Sequence, residues 1–169
     1  MIELECDRIQ FTHPLLASGI YGAAGSDARR ALHRRLAELL PDPEERAHHL
    51  ALGAESPDPD VAKALEEAAH RAHARGALTA AAELSEQALR LTPVGSEQWL
   101  HRRTIRAAGY AMETGESDRA RELLEDARDA APPGPRRAEI LYWLGTVEEY
   151  HGNRRRAVDL HRGSHPSRR

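Results

Sequence analysis

The sequence predicts an all-α fold: an array of helical hairpins stacked as an α-solenoid, preceded by a short strand and a few further helices. Three observations predict it. First, alanine and leucine carry most of an apolar content of 40%, while aromatic residues make up only 4%; these two residues have the highest helix propensities and suit closely packed helices. Second, Gly76, Gly115 and Gly152 each separate two helical patterns, and the residues after each glycine recur at fixed offsets. Third, acidic and basic residues are interspersed along the chain, with 24 Lys and Arg against 27 Asp and Glu. That pattern is expected of solvated helix faces laced with i,i+4 pairs.

The offsets define a repeat. Five residues after each glycine stand Ala81, Ala120 and Ala157, and eight after stand Leu84, Leu123 and Leu160. Ala88 and Ala127 come at twelve, and Pro93 and Pro132 at seventeen. Glycine supplies the left-handed stop between two helices. The alanine admits the neighbouring helix, the leucine fills the groove beside it, and the proline ends the unit. This is the tetratricopeptide layout, whose ordinary period is about 34 residues; here the glycines are 39 and 37 apart. In the third unit Leu141, Leu144 and Gly145 match the first-helix signature, with Ala69 and Ala108 in the glycine position of the other two.

Boundaries can be read for each helix. Asp58-Pro59-Asp60 supplies a cap, a first-turn proline and a favourable charge at the N-terminal dipole. Ser96-Glu97 begins the next first helix and Gly134-Pro135 the third. Leu65, Ala69 and Ala72 share one face, as do Ile140, Leu144, Val147 and His151. Residues 58–165 therefore form about two and a half repeats, and 166–169 a disordered tail.

Residues 1–57 have another plan. Ile9, Phe11 and His13 alternate with polar residues in a strand-like run that meets Pro14, with no partner strand evident. Leu15 to Tyr21 reads as a short helix. Ser26 or Asp27 caps a second, with Leu32, Leu36, Leu39 and Leu40 as its apolar stripe. Asp42-Pro43-Glu44-Glu45 opens a third, with Ala47, Leu50 and Ala51 inward.

Three phrases carry a resemblance: Arg8-Ile9-Gln10-Phe11-Thr12-His13-Pro14-Leu15-Leu16-Ala17-Ser18, Ala28 to Ala37, and Asp42 to Ala51. They resemble segments of the large ATP-binding LuxR-type transcriptional regulators. The likeness is most specific over residues 8 to 54 and extends more loosely through Ala77 to Pro93 into the later repeats. In that family such phrases end a winged-helix element that comes after a P-loop ATPase and precedes a tetratricopeptide-like region, with a DNA-binding helix-turn-helix at the C-terminus. The resemblance thus implies a winged-helix remnant with linker helices over 1–57. It casts the chain as a middle piece of such a regulator, a helical sensor and protein-interaction arm. An independent tetratricopeptide adaptor binding a peptide or protein partner is the alternative reading.

The chemistry-bearing patterns point away from catalysis. No G-x-x-x-x-G-K-[ST] occurs, so no backbone cradle and lysine for phosphates is expected; Gly19 to Gly25 lacks a lysine and reads as a helix–helix loop. No helix-turn-helix comes after the repeats. The expectation is no catalytic, cofactor-binding or metal residue, with ATP belonging only to a full-length parent. Ten histidines include His70 with His73 and His48 with His49, but a zinc site wants three or four ligands. Glu66-Glu67 and Glu148-Glu149 read as solvated faces, because adjacent helical residues diverge by about 100°. Arg154, Arg155, Arg156, Arg162, Arg168 and Arg169 read as a solvated last helix and tail rather than a phosphate-binding surface. Trp99, Tyr142 and Trp143 lie on first helices, where packing is the commoner role; they are also the candidate anchors for a protein or peptide partner, or a small effector. With one cysteine, no basic-then-apolar leader and no span of roughly 20 apolar residues, a cytoplasmic protein away from membranes is expected.

Overall fold

The structure, a computed structural model, describes residues 2–5, 8–11 and 22–164. The His13–Pro14 step, the helix expected over Leu15–Tyr21 and the tail over 166–169 lie outside the described residues. At the start, β1 (Ile2–Glu5) pairs antiparallel with β2 (Arg8–Phe11), Ile2 opposite Phe11 and Leu4 opposite Ile9. The run at Ile9 and Phe11, for which the sequence shows no partner, is thus paired with the residues immediately before it.

The remaining regular structure is helical: α1 (Ser26–Leu39), α2 (Pro43–Gly53), α3 (Pro59–Ala74), α4 (Leu78–Arg90), α5 (Glu97–Glu113), α6 (Ser117–Ala130), α7 (Pro135–Tyr150) and α8 (Arg154–Ser164). Each helix packs on its neighbours in the chain, and α5 also touches α7. This order of packing is consistent with an α-solenoid.

The glycine hinges are built alike. After α3 the Gly76 amide donates to the His73 carbonyl and the Ala77 amide to Ala72. After α5, Gly115 donates to Met112 and Glu116 to Ala111; after α7, Gly152 donates to Glu149 and Asn153 to Glu148. The three glycines have φ of 82°, 83° and 75°, as the left-handed residue of a Schellman stop requires. The alanines five residues on, Ala81, Ala120 and Ala157, are at most 1% exposed.

Helix starts obey their chemistry less uniformly. Asp42 and Asp58 each accept two backbone amides, from Glu44 and Glu45 and from Asp60 and Val61. Ser96 precedes α5 without a side-chain cap bond. The cap of α1 is Gly25; Ser26 and Asp27 already lie in its first turn.

The leucine stripe of α1 also requires correction. Leu32 and Leu39 are 50% and 64% exposed, whereas His33 and Ala37 face inward at 7% and 3%. The reason lies in α2: a Cβ on Gly53 would sit 3.2 Å from the Arg34 backbone nitrogen and 3.3 Å from the Arg30 carbonyl. The helices meet along the Arg30–Arg34–Ala37 side, which turns Leu32 and Leu39 outward and leaves Leu36 and Leu40 partly buried. His151, expected inward with Ile140, Leu144 and Val147, is instead the exposed C-cap of α7.

The described core forms two adjoining clusters. One draws on α2 to α5, mostly alanines around the fully buried Leu65, and includes Tyr110 of α5. Ala47 and Ala51 of α2 belong to it, so this packing continues across residue 57. The other joins Ala108 and Ala111 of α5 to Leu124, Ile140, Leu144 and Val147. The central helix α5 therefore serves both clusters.

Two acidic residues expected on solvated faces are buried crosslinks. The Arg103 Nε donates to Glu66 at 3.0 Å, and its Nη1 donates to the Thr92 hydroxyl at 2.7 Å, which itself donates to the Ala88 carbonyl. This chain of bonds ties α3, the end of α4 and α5. Glu148, 2% exposed, receives Arg121 of α6 at 3.0 Å and Arg156 of α8 at 3.3 Å. Their neighbours Glu67 and Glu149 remain outside, near Lys63 at 4.0 Å and His161 at 3.4 Å. Arg156, expected in a solvated basic end, thus holds α8 in place.

Two glycines of one helical unit predict opposite outcomes. Gly115 needs a positive φ, so Gly115→Ala is expected to cost roughly 1–2 kcal/mol. Gly109 lies inside α5 with open space where its Cβ would be, so Gly109→Ala is expected to stabilise by about 0.5–1 kcal/mol. Urea unfolding of both variants checks the pair of signs.

Candidate partner-binding groove

The chain's first helices present a groove of about 340 Å³, centred on α5 and open to solvent. Arg102, Arg106, Gly109 and Glu113 recur along one side of α5 at helical spacing, and Glu139 and Trp143 of α7 form the facing wall. Counted back nine residues from the hinge glycines, Glu67, Arg106 and Trp143 hold the same position in three successive first helices. Of the three, Arg106 and Trp143 both line the groove.

Most charges near this groove are satisfied. His73 meets Glu113 at 2.7 Å and stacks on Tyr110, with ring centroids 4.8 Å apart. His101 meets Glu139 at 2.7 Å. Glu67 lies 4.0 Å from Lys63, and Glu66 is bonded to Arg103 with Arg102 at 3.9 Å. Arg106 differs: its Nη1 is buried with no hydrogen-bond partner, and no ion pair engages it among the described residues. His101 Nδ1 is likewise buried without a partner. Burial, and then the Arg106 cation, lower the pKa of His70; burial raises that of the Tyr110 phenol.

The three aromatic candidates occupy different places. Trp143 is half-buried, packs against the second core cluster and lines the groove. Tyr142, one position along, is 53% exposed, meets Trp143 edge-on at 6.2 Å and lies 5.4 Å from the His161 ring. Trp99 is 45% exposed and carries the guanidinium groups of Arg102 and Arg103 over its ring at 4.8 and 5.3 Å. It borders a separate depression with Pro59, Lys63 and Pro93. Only Trp143 of the three lines the α5 groove, and motif reading does not single out the groove residues Arg106, Gly109 and Tyr110. The nine-residue offset that Arg106 shares with Trp143 is the one signal for them in the sequence.

Two further features lie outside the groove. A largely apolar, partly open pocket of about 310 Å³ lies between α5, α6 and α7, lined by Leu100, Leu123, Ala127 and Ile140 among others. Near the other end, His33 and His49 face each other with Nδ1 atoms 2.9 Å apart and rings stacked at 5.0 Å, and His48 lies beside them. Among the described residues no group of three or more His, Cys, Asp or Glu is placed to share a metal ion. No helix of the described residues is long and apolar enough to cross a membrane. No protein-family model matches the chain, and neither does any curated protein sequence.

The histidine pair makes stability depend on pH. Burial first, then the neighbouring His49 and His48, lower the pKa of His33 below its ordinary 6.5. The unfolded chain then takes up a proton more readily than the folded one, so this support is present above about pH 6.5 and is lost as pH falls through the lowered value. The thermal midpoint is expected to drop on acidification below pH 6.5, and His33→Gln to flatten that drop; calorimetry across the range checks it.

Proposed function

We propose that this chain is the helical sensor and protein-interaction arm of a LuxR-type ATP-dependent transcriptional regulator, a tetratricopeptide-like array that works without catalysis of its own. The observation that carries the reading is the threefold recurrence of one hinge, a Schellman glycine with a buried alanine five residues later, along helices that pack in chain order. Such arrays present their first helices as a continuous binding surface, and here that surface is the α5 groove with Trp143 on its wall. Trp99 and Tyr142 are further exposed anchors. The phrases over residues 8 to 54 supply the regulator half of the reading, with 1–57 as a winged-helix remnant and its linker helices.

A second observation supports membership of a larger assembly. Leu32 and Leu39 recur seven residues apart on the outer side of α1 and are 50% and 64% exposed. An apolar stripe of this kind marks a surface that another element covers. In a regulator that element would belong to the winged-helix and ATPase region. The function is then transmission: a protein, peptide or small effector engages the array, and the helical stack passes the bias to the ATPase. Nucleotide chemistry and DNA contact belong to the parent's other domains, in the cytoplasm.

Sequencing the locus on both sides tests the reading. A P-loop coding region upstream and a helix-turn-helix downstream are expected; unrelated neighbours would favour the independent adaptor. Titration calorimetry of the chain with ATP and magnesium is expected to be silent, and saturable heat would remove the assignment of ATP to the parent alone. In sedimentation velocity the chain is expected to self-associate through α1, with the double variant Leu32→Glu and Leu39→Glu monomeric.

A further inference from the structure

We propose that the α5 groove binds an acidic peptide segment of a protein partner, with Arg106 as the carboxylate-binding residue and Gly109 as the floor that lets the peptide approach. The proposal rests on the interaction-arm reading and names the partner chemistry of that surface.

Charge accounting singles out Arg106. The acids around it are engaged, Glu66 by Arg103 and Arg102, Glu67 by Lys63, Glu113 by His73 and Glu139 by His101. Arg106 alone of this group has no ion pair or hydrogen bond among the described residues, and its Nη1 is out of solvent. A buried donor without an acceptor is costly, and a guanidinium has five donors and no acceptor of its own. The complementary group is a carboxylate, which can take two parallel bonds from the guanidinium fork. The two carboxylates that line the groove, Glu113 and Glu139, each turn one oxygen to a histidine, and neither is bonded to Arg106.

Gly109 is an independent observation. A glycine inside a helix costs about 0.5–1 kcal/mol relative to alanine, and nothing in the fold requires this one. Its φ is ordinary helical, and a Cβ there would meet no atom within 4 Å. This separates it from Gly145, whose Cβ would lie only 2.5 Å from the His161 ring, and from the hinge glycines with positive φ. It stands three residues after Arg106, within the same groove. A bare stretch of helix beside an unengaged guanidinium leaves room for a chain to lie against α5.

The shape favours an extended segment over a small free acid. The groove is open and shallow rather than enclosed, and its far wall is the half-buried Trp143. A free carboxylate there would keep most of its hydration, whereas a peptide adds apolar contact with Trp143 and Ile105 to the single charged anchor.

The test uses fluorescence anisotropy with short fluorescein-labelled peptides in which Glu or Asp alternates with Leu, each beside its Gln or Asn counterpart. Saturable binding of the acidic peptides is expected, with the amide counterparts and the Arg106→Gln protein each weaker by at least about tenfold, since each loses the charge-assisted contact. Arg162→Gln, the same charge change at an exposed site on α8, should leave binding unaltered. Gly109→Leu places a helix-favouring residue on α5 where a Cβ has open space, and should fold with unchanged circular dichroism while abolishing binding by filling the floor. Equal binding of acidic and amide peptides, or full binding by either groove variant, would overturn the proposal while leaving a peptide-binding arm intact. Absence of saturable binding would overturn it too, and the locus and sedimentation results would still judge the arm reading separately. Tighter binding of a fluorescein-labelled oligonucleotide at the same site would overturn it by reassigning Arg106 to phosphate.

Discussion

The architecture depends on how closely the helices can approach, and that is set by alanine. Ala62, Ala68, Ala69, Ala72, Ala81, Ala107 and Ala120 are fully buried, while among the described residues the large side chains buried to the same degree are few. Such a core stabilises through backbone proximity and many small dispersion contacts rather than through bulky side chains. It also tolerates little: a methylene added at a closed alanine must displace a neighbouring helix. The hinge glycines matter for the same reason. By stopping one helix and launching the next with the same hydrogen bonds each time, they bring each alanine to the interface at the same place.

Close packing of alanines has little directional preference, and two buried carboxylates supply it. Glu66 with Arg103 and Glu148 with Arg121 join helices belonging to different hairpins, and Arg156 ties the same Glu148 to the second helix of its own hairpin. A buried ion pair is weak evidence for stability, because desolvation offsets much of its attraction, but breaking it by removing one partner costs about 3–5 kcal/mol. Their effect is to fix the rotation and height of one hairpin against the next. The groove depends on this, since Arg106 and Trp143 face a common space only when successive first helices keep register.

The repeat was legible because its requirements are local. A positive φ, a missing Cβ and a proline stop are properties of single positions, so Gly76, Ala81 and Pro93 announce themselves without knowledge of what they touch. The caps at Asp42 and Asp58 belong to the same class. The burial of Glu66 rather than Glu67 does not, because it is decided by an arginine 37 residues away. The leucines of α1 misled for a similar reason: composition identified an apolar stripe, but the close meeting at Gly53 determines which face is inward. Within the groove, Trp143 was visible as an aromatic on a first helix. Arg106 was not, since a guanidinium is conspicuous only once every neighbouring acid is known to be occupied.

Packing in chain order has a mechanical consequence. Apart from the touch between α5 and α7, the substantial helix contacts are between immediate successors, so among the described residues no long-range sheet or crossover binds the two ends together. Tension applied along such a stack is borne in series, each hairpin interface carrying the full load in turn. The molecule would respond as a spring of coupled segments, extending through small rotations about its glycine hinges before any helix is lost, and the interface with the least buried area would yield first. A displacement imposed at one end is thereby felt at the other without any change of fold.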